Sequence, residues 1–207
     1  LGLEMADALH QLGHEVEVIQ IADRLMSRQL DALSADLLQE LLTLKGIHIT
    51  LNDEVVEFMQ TDGMITHTRL KSGRVSEVGL VLGAIGTRAN TEILQAAGVR
   101  CARGVLVNSR LQTSDPNIHA IGEIAELGGE TWGISSAAVE QANILARVLT
   151  GDPHARYTGS VSMNILKLQD IQLASIGMVD VPQNNAHEYQ VVRMEDLACR
   201  YYKKCIV

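Results

Sequence analysis

Gly2 and Glu4 stand at the beginning of an amphipathic stretch that predicts a helix over residues 3–12. The first turn of a helix has free N–H groups that attract anions, and a glycine there lets the backbone approach a pyrophosphate. The segment therefore fits the last part of a G-x-G-x-x-G dinucleotide fingerprint. Ordinary packing of a helix on a strand is the other explanation for a glycine at this position.

A strand predicted at residues 15–21 ends about twenty residues after that glycine, where dinucleotide-binding folds place the group that contacts a ribose. Gln20 stands there, so the position offers one amide and no carboxylate. Arg24 and Arg28 follow, and either could contact a 2′-phosphate. A surface ion pair between Asp23 and Arg24 is the alternative interpretation.

A second glycine stands beside a carboxylate at Gly122 and Glu123, where residues 113–123 read T-S-D-P-N-I-H-A-I-G-E. We predict a short apolar strand immediately before Gly122. A glycine at the end of a strand leaves room for a ligand, and the adjacent carboxylate can accept hydrogen bonds from sugar hydroxyls. Trp132 precedes a long helix that is predicted to begin at Gly133, and it packs either near the ligand or at an interface.

The composition excludes several other classes of protein. The 207 residues carry a net charge of −8, which argues against a broad nucleic-acid surface, and no apolar run is long enough to span a membrane. Cys101, Cys199 and Cys205 contain no C-x-x-C dithiol and fit a reducing cytoplasm; the last two are predicted to share one face of a strand. His10 and His14 have no third ligand cluster, so we expect no metal site.

These candidate residues must be positioned by an alternation of helices and strands. Helices are predicted at residues 3–12, 30–45, 91–97 and 133–149, with Asn90 as the cap of the third. Strands are predicted at residues 15–21, 47–51, 55–59, 64–70, 80–82, 105–107, 161–168, 171–179, 189–194 and 199–207. The order indicates an α/β chain with a partial doubly wound, Rossmann-like domain, an inserted β-meander and a mostly antiparallel C-terminal module.

The motifs resemble those of the pyridine nucleotide–disulfide oxidoreductase superfamily. Residues 113–123 resemble its second flavin motif, with Glu123 where Asp is usual. Residues 1–6 are similar to the end of its nicotinamide-dinucleotide fingerprint. Residues 83–90 (G-A-I-G-T-R-A-N) resemble the motif between its two nucleotide domains, with Ala89 in place of the usual proline.

Further segments resemble one branch of that superfamily, the large subunit of NAD(P)H-nitrite reductase and the rubredoxin reductases. These segments are D-R-L-M-S-R-Q-L-D at residues 23–31, Gly-Glu at residues 122–123 and Y-T-G-S at residues 157–160. The later apolar segments at residues 166–168 and 175–177 resemble the start of the C-terminal domain in this branch.

The resemblance implies a parent enzyme in which NAD(P)H gives a hydride to FAD and electrons leave toward an acceptor such as a haem, an iron–sulfur centre or rubredoxin. The cofactors carry the reaction, so no general base or nucleophile is expected on this chain. The implied cofactor-binding residues are Gly2, Glu4 and Gln20 for NAD(P)H, Gly86 near that cofactor, Gly122 and Glu123 for the ribityl–phosphate part of FAD, and Gly133 at a helix directed toward the flavin.

The same resemblance implies three domains: residues 1–86 as an NAD(P)-binding domain, residues 87–152 as the C-terminal half of an FAD domain, and residues 153–207 as the start of a C-terminal α+β domain. The chain is expected to be a fragment, without the first strand of the NAD(P) domain and without the N-terminal FAD segment. We therefore expect no bound FAD on the isolated chain.

A fragment of this kind is expected to expose aliphatic residues around Val16, Val18 and residues 80–82 and to form homo-oligomers. The alternatives are an electron-transfer flavoprotein of the rubredoxin or ferredoxin reductase type, and a non-catalytic fragment that serves subunit association. A cytoplasmic protein with no nucleic-acid or membrane partner is expected in each case.

Overall fold

The computed structural model describes residues 1–181 and 183–207. It is a mixed α/β chain whose small sheets are both parallel and antiparallel. Residues 1–84 and 163–207 form one compact unit, and residues 85–162 form a second. No helix in the described part of the chain is long and apolar enough to cross a membrane.

Among its described residues, the first unit contains two α-helices and nine strands. They are α1 (Gly2–Gln11), β1 (Glu17–Gln20), α2 (Ala32–Leu44), β2 (His48–Leu51), β3 (Val55–Thr61), β4 (Met64–Leu70), β5 (Val75–Glu77), β8 (Met163–Leu168), β9 (Ile171–Ile176), β10 (Val191–Asp196) and β11 (Tyr201–Ile206). The second unit contains α3 (Glu92–Ala96), β6 (Val105–Leu106), β7 (Ala125–Glu126) and α4 (Ser135–Leu149).

The first unit is organised around a parallel pair of strands, β1 and β2, in which Glu17 lies opposite His48. Leucines that recur along α2 at helical spacing, Leu38 and Leu42, are fully buried in the core of this unit. The antiparallel hairpin of β8 and β9 contributes Leu166 and Ile171 to the same core. Apolar burial therefore joins the hairpin of β8 and β9 to the first part of the chain.

A buried carboxylate on α1, Asp7, reinforces that junction. It accepts hydrogen bonds from Lys45 Nζ at 2.7 Å and from the Gln169 N–H at 3.0 Å, and Gln169 lies between β8 and β9. Burial by itself would raise the pKa of Asp7, but the hydrogen bonds and the positive charge of Lys45 outweigh it and hold the pKa below 3.8. Asp7 therefore stays ionised and binds three elements together.

A second carboxylate, Asp31, joins α2 to the hairpin of β10 and β11. Asp31 is the N-cap of α2, and its Oδ1 accepts the Ser34 N–H at 3.0 Å. Its Oδ2 accepts the Tyr202 hydroxyl at 2.8 Å and lies 3.1 Å from Lys204 Nζ. Burial alone would raise the pKa of Asp31, but the hydrogen bonds from Ser34 and Tyr202 hold it well below its ordinary value of 3.8.

The β-meander of β3, β4 and β5 is antiparallel throughout. Asp62 and Gly63 connect β3 to β4 with φ angles of 50° and 80°, which is the conformation that two-residue hairpin turns require. Arg74, beside β5, donates to Glu17 on β1 and to Thr50 Oγ1 at 3.2 Å. The meander is thus attached to the parallel pair by a charged contact.

The second unit has its own small core beneath the parallel pair β6 and β7. Val105 and Ala125, which lie opposite each other in this pair, are almost fully buried. A Cβ at Gly104 would lie 2.5 Å from the Ile124 carbonyl oxygen, so the strands approach this closely only because residue 104 has no side chain. The buried Glu126 carboxylate accepts the Gly104 N–H at 2.8 Å.

The structure corrects two strand predictions. Residues 80–82 form no strand, and Leu80 and Leu82 are 65% and 50% exposed. An apolar run becomes a strand only when another strand pairs with it, and no described residue does so here. The predicted strand before Gly122 is reduced to one bridge between Gln112 and His119, beside which the Ala120 N–H donates to the Leu111 carbonyl.

Three smaller predictions also differ from the structure. The N-cap of α3 is Thr91 and not Asn90. Cys199 lies in a short 3₁₀ turn between β10 and β11, so it shares no strand face with Cys205. Val16 and Val18 are not uncovered, because both pack against the core of the first unit.

We predict that Asp31→Ala destabilises the protein by about 2 kcal/mol at neutral pH, since both the helix cap and the hydrogen bond from Tyr202 are lost. The folded-state pKa of Asp31 is depressed, so its contribution is complete above 3.8 and decreases as the pH falls below that value. The difference between the variant and the wild type should therefore shrink near pH 3.

Urea unfolding at both pH values measures this difference. Asp36→Ala, which removes an exposed carboxylate from the same helix, is the matched control and should change the free energy of unfolding by less than about 0.5 kcal/mol. Equal losses of unfolding free energy in the two variants at neutral pH would show that Asp31 does not join α2 to the hairpin of β10 and β11.

Candidate functional site

Gly122 and Glu123 form a tight corner at the surface of the second unit, called the corner below. Gly122 has a φ of +81°, a conformation that glycine adopts without steric cost. Its N–H donates to Gln141 Oε1 at 2.6 Å. A Cβ built on Gly122 would meet nothing within 4 Å, so open space lies next to the backbone at this point.

The Glu123 carboxylate lies close to the beginning of α4. A Cβ at Gly133 would be 3.0 Å from Glu123 Oε1, so the carboxylate occupies the room that a side chain at residue 133 would take. The same oxygen accepts a hydrogen bond from the Thr87 hydroxyl. The positive end of the helix dipole stabilises a negative charge in this position.

The N-terminus of α4 itself has no side-chain cap. The N-cap residue, Ile134, is apolar, and the first turn begins with the exposed Ser135 and Ser136. Free N–H groups at the beginning of a helix of this length form a site for an anionic or electron-rich group. The corner, with its acceptor Glu123, therefore lies beside hydrogen-bond donors at the beginning of α4.

Gln141 is the residue on α4 that contacts the corner, and it is fully buried. Its Nε2 atom has no hydrogen-bond partner among the described residues, although it is shielded from solvent. A buried donor without a partner costs about 1–3 kcal/mol of stability. An apolar side chain of similar volume would avoid that cost but would leave the Gly122 N–H without this acceptor, so the bond to Gly122 is what a glutamine adds at this position.

Trp132 packs within the second unit at the approach to α4. Its ring lies edge-on to that of the buried Tyr157, with 5.4 Å between the ring centroids, and its indole N–H donates to the Ser160 carbonyl at 2.9 Å. The Ser160 hydroxyl donates to Glu140 on α4 at 2.6 Å. These contacts hold residues 157–160 against α4 and fix the chain that leads into Gly133.

The predicted site residues of the first unit lie at the ends of α1 and β1. A Cβ at Gly2 would lie 3.0 Å from the Cβ of Ala84, so the absence of a side chain lets the beginning of α1 approach that segment. The carboxylate of Glu4 accepts the Lys167 N–H at 3.1 Å, which ties α1 to β8.

Gln20 is the last residue of β1, which ends one residue before the predicted end of that strand at Ile21, and it is half-buried. Its Nε2 lies 3.4 Å from the Arg24 carbonyl oxygen. Arg24 Nη1 is 3.7 Å from the exposed carboxylate of Asp23, while its buried Nε has no partner in the described part of the chain. Arg24 therefore makes a long ion pair with Asp23, and its contact with a 2′-phosphate stays a prediction.

Gly86 lies in an exposed segment without regular structure and has a φ of +91°. It immediately precedes Thr87, the residue that donates to Glu123. The structure thus brings the neighbourhood of Gly86 together with Gly122, Glu123 and Gly133. In the part of the chain that the structure describes, no group of three His, Cys, Asp or Glu side chains is placed to hold a metal ion.

Comparison with models of known protein families gives a match over most of the chain. Residues 1–142 match the pyridine nucleotide-disulphide oxidoreductases. The chain belongs to this family. Residues 163–207 match the C-terminal domain of rubredoxin NAD+ reductases. The two matches confirm the resemblance that was predicted from the sequence motifs.

Individual oxidoreductases of the family give the same result. The chain is 36% identical over its whole length to the NAD(P)H nitrite reductase of Bacillus subtilis, of which it covers 25%. It is 36% identical over 76% of its length to the rubredoxin-NAD(+) reductase of Acinetobacter baylyi, of which it covers 40%. The chain therefore spans only a quarter to two fifths of these relatives.

A solved structure supports the fold. The ferredoxin reductase of Rhodopseudomonas palustris matches 99% of this chain with a TM-score of 0.83 and 28% sequence identity, and the match covers 50% of that protein. The mixed α/β fold of this chain is thus similar to that of part of this ferredoxin reductase.

The corner fits the sugar–phosphate part of FAD, the flavin cofactor of this family. Open space beside Gly122 gives a ligand access to the backbone, the exposed Glu123 carboxylate can accept hydroxyl hydrogen bonds, and the uncapped end of α4 favours electron-rich groups. Sequence reasoning missed Thr87 and Gln141. A polar residue at a core position of α4 is the signal that could have identified Gln141.

Proposed function

We propose that this chain is part of a flavoprotein oxidoreductase that passes a hydride from NAD(P)H to FAD and electrons on to an acceptor, as in an NAD(P)H-nitrite reductase. The observation that carries the proposal is the corner, where the Glu123 carboxylate lies against the side-chain-free Gly133 at the beginning of α4. The similarity of the whole chain to a nitrite reductase supports the choice of this branch of the family.

On this proposal, the corner binds the ribityl–phosphate part of FAD. Gly122 admits the ligand to the backbone, and Glu123 accepts hydrogen bonds from ribityl hydroxyls. The positive N-terminus of α4, beyond Gly133, would favour negative charge on a flavin bound at this point. FAD supplies the redox chemistry, and the residues of this chain bind and orient it.

We further propose that NAD(P)H binds to the first unit, at the beginning of α1 and the end of β1. Gly2 lets the pyrophosphate approach the helix, and Gln20 meets the ribose with its amide. Glu4 holds α1 in place through the Lys167 N–H. Gly86 is proposed to lie near NAD(P)H, and it precedes Thr87, which donates to Glu123.

The corresponding domain organisation is residues 1–86 as a doubly wound NAD(P)-binding domain, residues 87–152 as the C-terminal half of an FAD domain, and residues 153–207 as the start of a C-terminal domain. The match to the rubredoxin reductase C-terminal domain over residues 163–207 supports the last assignment. We place the protein in the cytoplasm, in keeping with the sparse and unpaired cysteines.

The electron acceptor has a second candidate besides a nitrite-reducing centre. A rubredoxin- or ferredoxin-type electron carrier is favoured by the similarity of 76% of the chain to a rubredoxin-NAD(+) reductase. Both candidates require the same two cofactors, so the tests below address the steps that they share.

We predict that the full-length protein, meaning the parent enzyme of which this chain is proposed to be a part, binds FAD stoichiometrically, shows the visible flavin absorption band, and loses that band when NAD(P)H is added without oxygen. Glu123→Ala should weaken FAD binding about tenfold to a hundredfold, since hydrogen bonds to a charged acceptor are lost. Titration of the flavin-free protein with FAD measures the affinity.

Glu130→Ala is the matched control for that substitution, since it removes an exposed carboxylate from the same unit outside the corner. It should leave the affinity unchanged. A wild-type protein that takes up no FAD would overturn the proposed function. Equal affinities of the wild type and Glu123→Ala would remove Glu123 from the site.

We predict that Gln20→Glu shifts coenzyme preference toward NADH by about tenfold in kcat/KM, because a carboxylate binds two ribose hydroxyls and repels a 2′-phosphate. The ratio of kcat/KM for NADH and NADPH measures the shift. Gln60→Glu adds the same charge on the β-meander and should not change the ratio. A wild type that already prefers NADH more than about a hundredfold would contradict this role of Gln20.

A further inference from the structure

Gln141 is a polar residue in an otherwise apolar row on α4. Ala137 and Val148, one and two turns away on the same face, are buried as well. The Oε1 atom of the glutamine accepts the Gly122 N–H at 2.6 Å. Its Nε2 atom is buried without a partner among the described residues. Because the unpaired Nε2 end lowers stability, the role of this glutamine lies in the bond that its Oε1 end makes.

The contact with Gly122 identifies that role. A glycine at a φ of +81° has no side chain to hold it in place, and its backbone has more conformational freedom than that of any other residue. The hydrogen bond from its N–H to Gln141 ties this backbone to α4. The adjacent Glu123 carboxylate lies against Gly133 at the beginning of the same helix.

We propose that Gln141 is a positioning residue that fixes the corner relative to the N-terminus of α4. The Glu123 carboxylate and the first turn of the helix then face a ligand as one rigid element, so that the cost of ordering them is met during folding and not on binding. The identity of the ligand as FAD rests on the proposed function. The positioning of Gly122 does not depend on it.

Two substitutions at residue 141 separate positioning from stability. Gln141→Met removes the acceptor for the Gly122 N–H and also removes the unpaired buried donor. Gln141→Glu keeps an oxygen that can accept the Gly122 N–H but places a carboxyl group in a buried position. Val148→Ala, on the same face of α4, is the control for a loss of core packing without loss of the Gly122 contact.

For the full-length protein, we expect opposite orders of stability and affinity in the two variants. In Gln141→Met the loss of the bond to Gly122 is offset by removal of the unpaired buried donor, so this variant should keep the melting temperature of the wild type while binding FAD about tenfold more weakly. Gln141→Glu should melt at a lower temperature while keeping its FAD affinity within about threefold of the wild type. Amide hydrogen exchange at Gly122 without ligand should be slow in the wild type and in Gln141→Glu and fast in Gln141→Met.

A merely structural role gives a different pattern: affinity then follows melting temperature through all three variants, including Val148→Ala. That pattern, or equal protection of Gly122 in the wild type and Gln141→Met, would overturn the inference. If the wild type binds no FAD but Gly122 loses protection only in Gln141→Met, the proposed function fails while the positioning role of Gln141 stands.

Discussion

A carboxylate is held at the positive end of a helix because the residue that faces it has no side chain. Glu123 approaches α4 only where Gly133 leaves room, and Thr87 donates to the same carboxylate oxygen. The helix dipole then stabilises the negative charge. The first turn of α4 has no side-chain cap, so its N–H donors begin next to the residue that the Glu123 carboxylate contacts.

Much of the fold follows from local patterns in the sequence. The helix at residues 30–45 and the two strands that flank the Asp62–Gly63 turn were predicted, because hydrophobic period and turn chemistry depend on neighbouring residues. Residues 80–82 were predicted as a strand and are not one, since pairing depends on a partner that an apolar run cannot specify. The contacts of Asp7 and Asp31 with residues more than a hundred positions away could not be predicted either, because a local pattern does not specify them.

The candidate site was predictable only in part, for the same reason. Gly122 and Glu123 are adjacent, so their motif is visible in the sequence. Thr87 and Gln141 reach the corner from 36 and 19 residues away through the fold. Gln141 also occupies a core position of an amphipathic helix, where its burial and its unpaired amide become evident only in the structure.

The central claim is that the corner and the beginning of α4 form one flavin-binding element. Hydrogen–deuterium exchange of the full-length protein, with and without FAD, tests it most directly. The account predicts that FAD slows exchange in peptides that contain residues 86–88, 121–124 and 133–137, and that peptides of the exposed β-meander do not change. Protection that appears elsewhere in the chain while these three segments exchange at their ligand-free rates would contradict it.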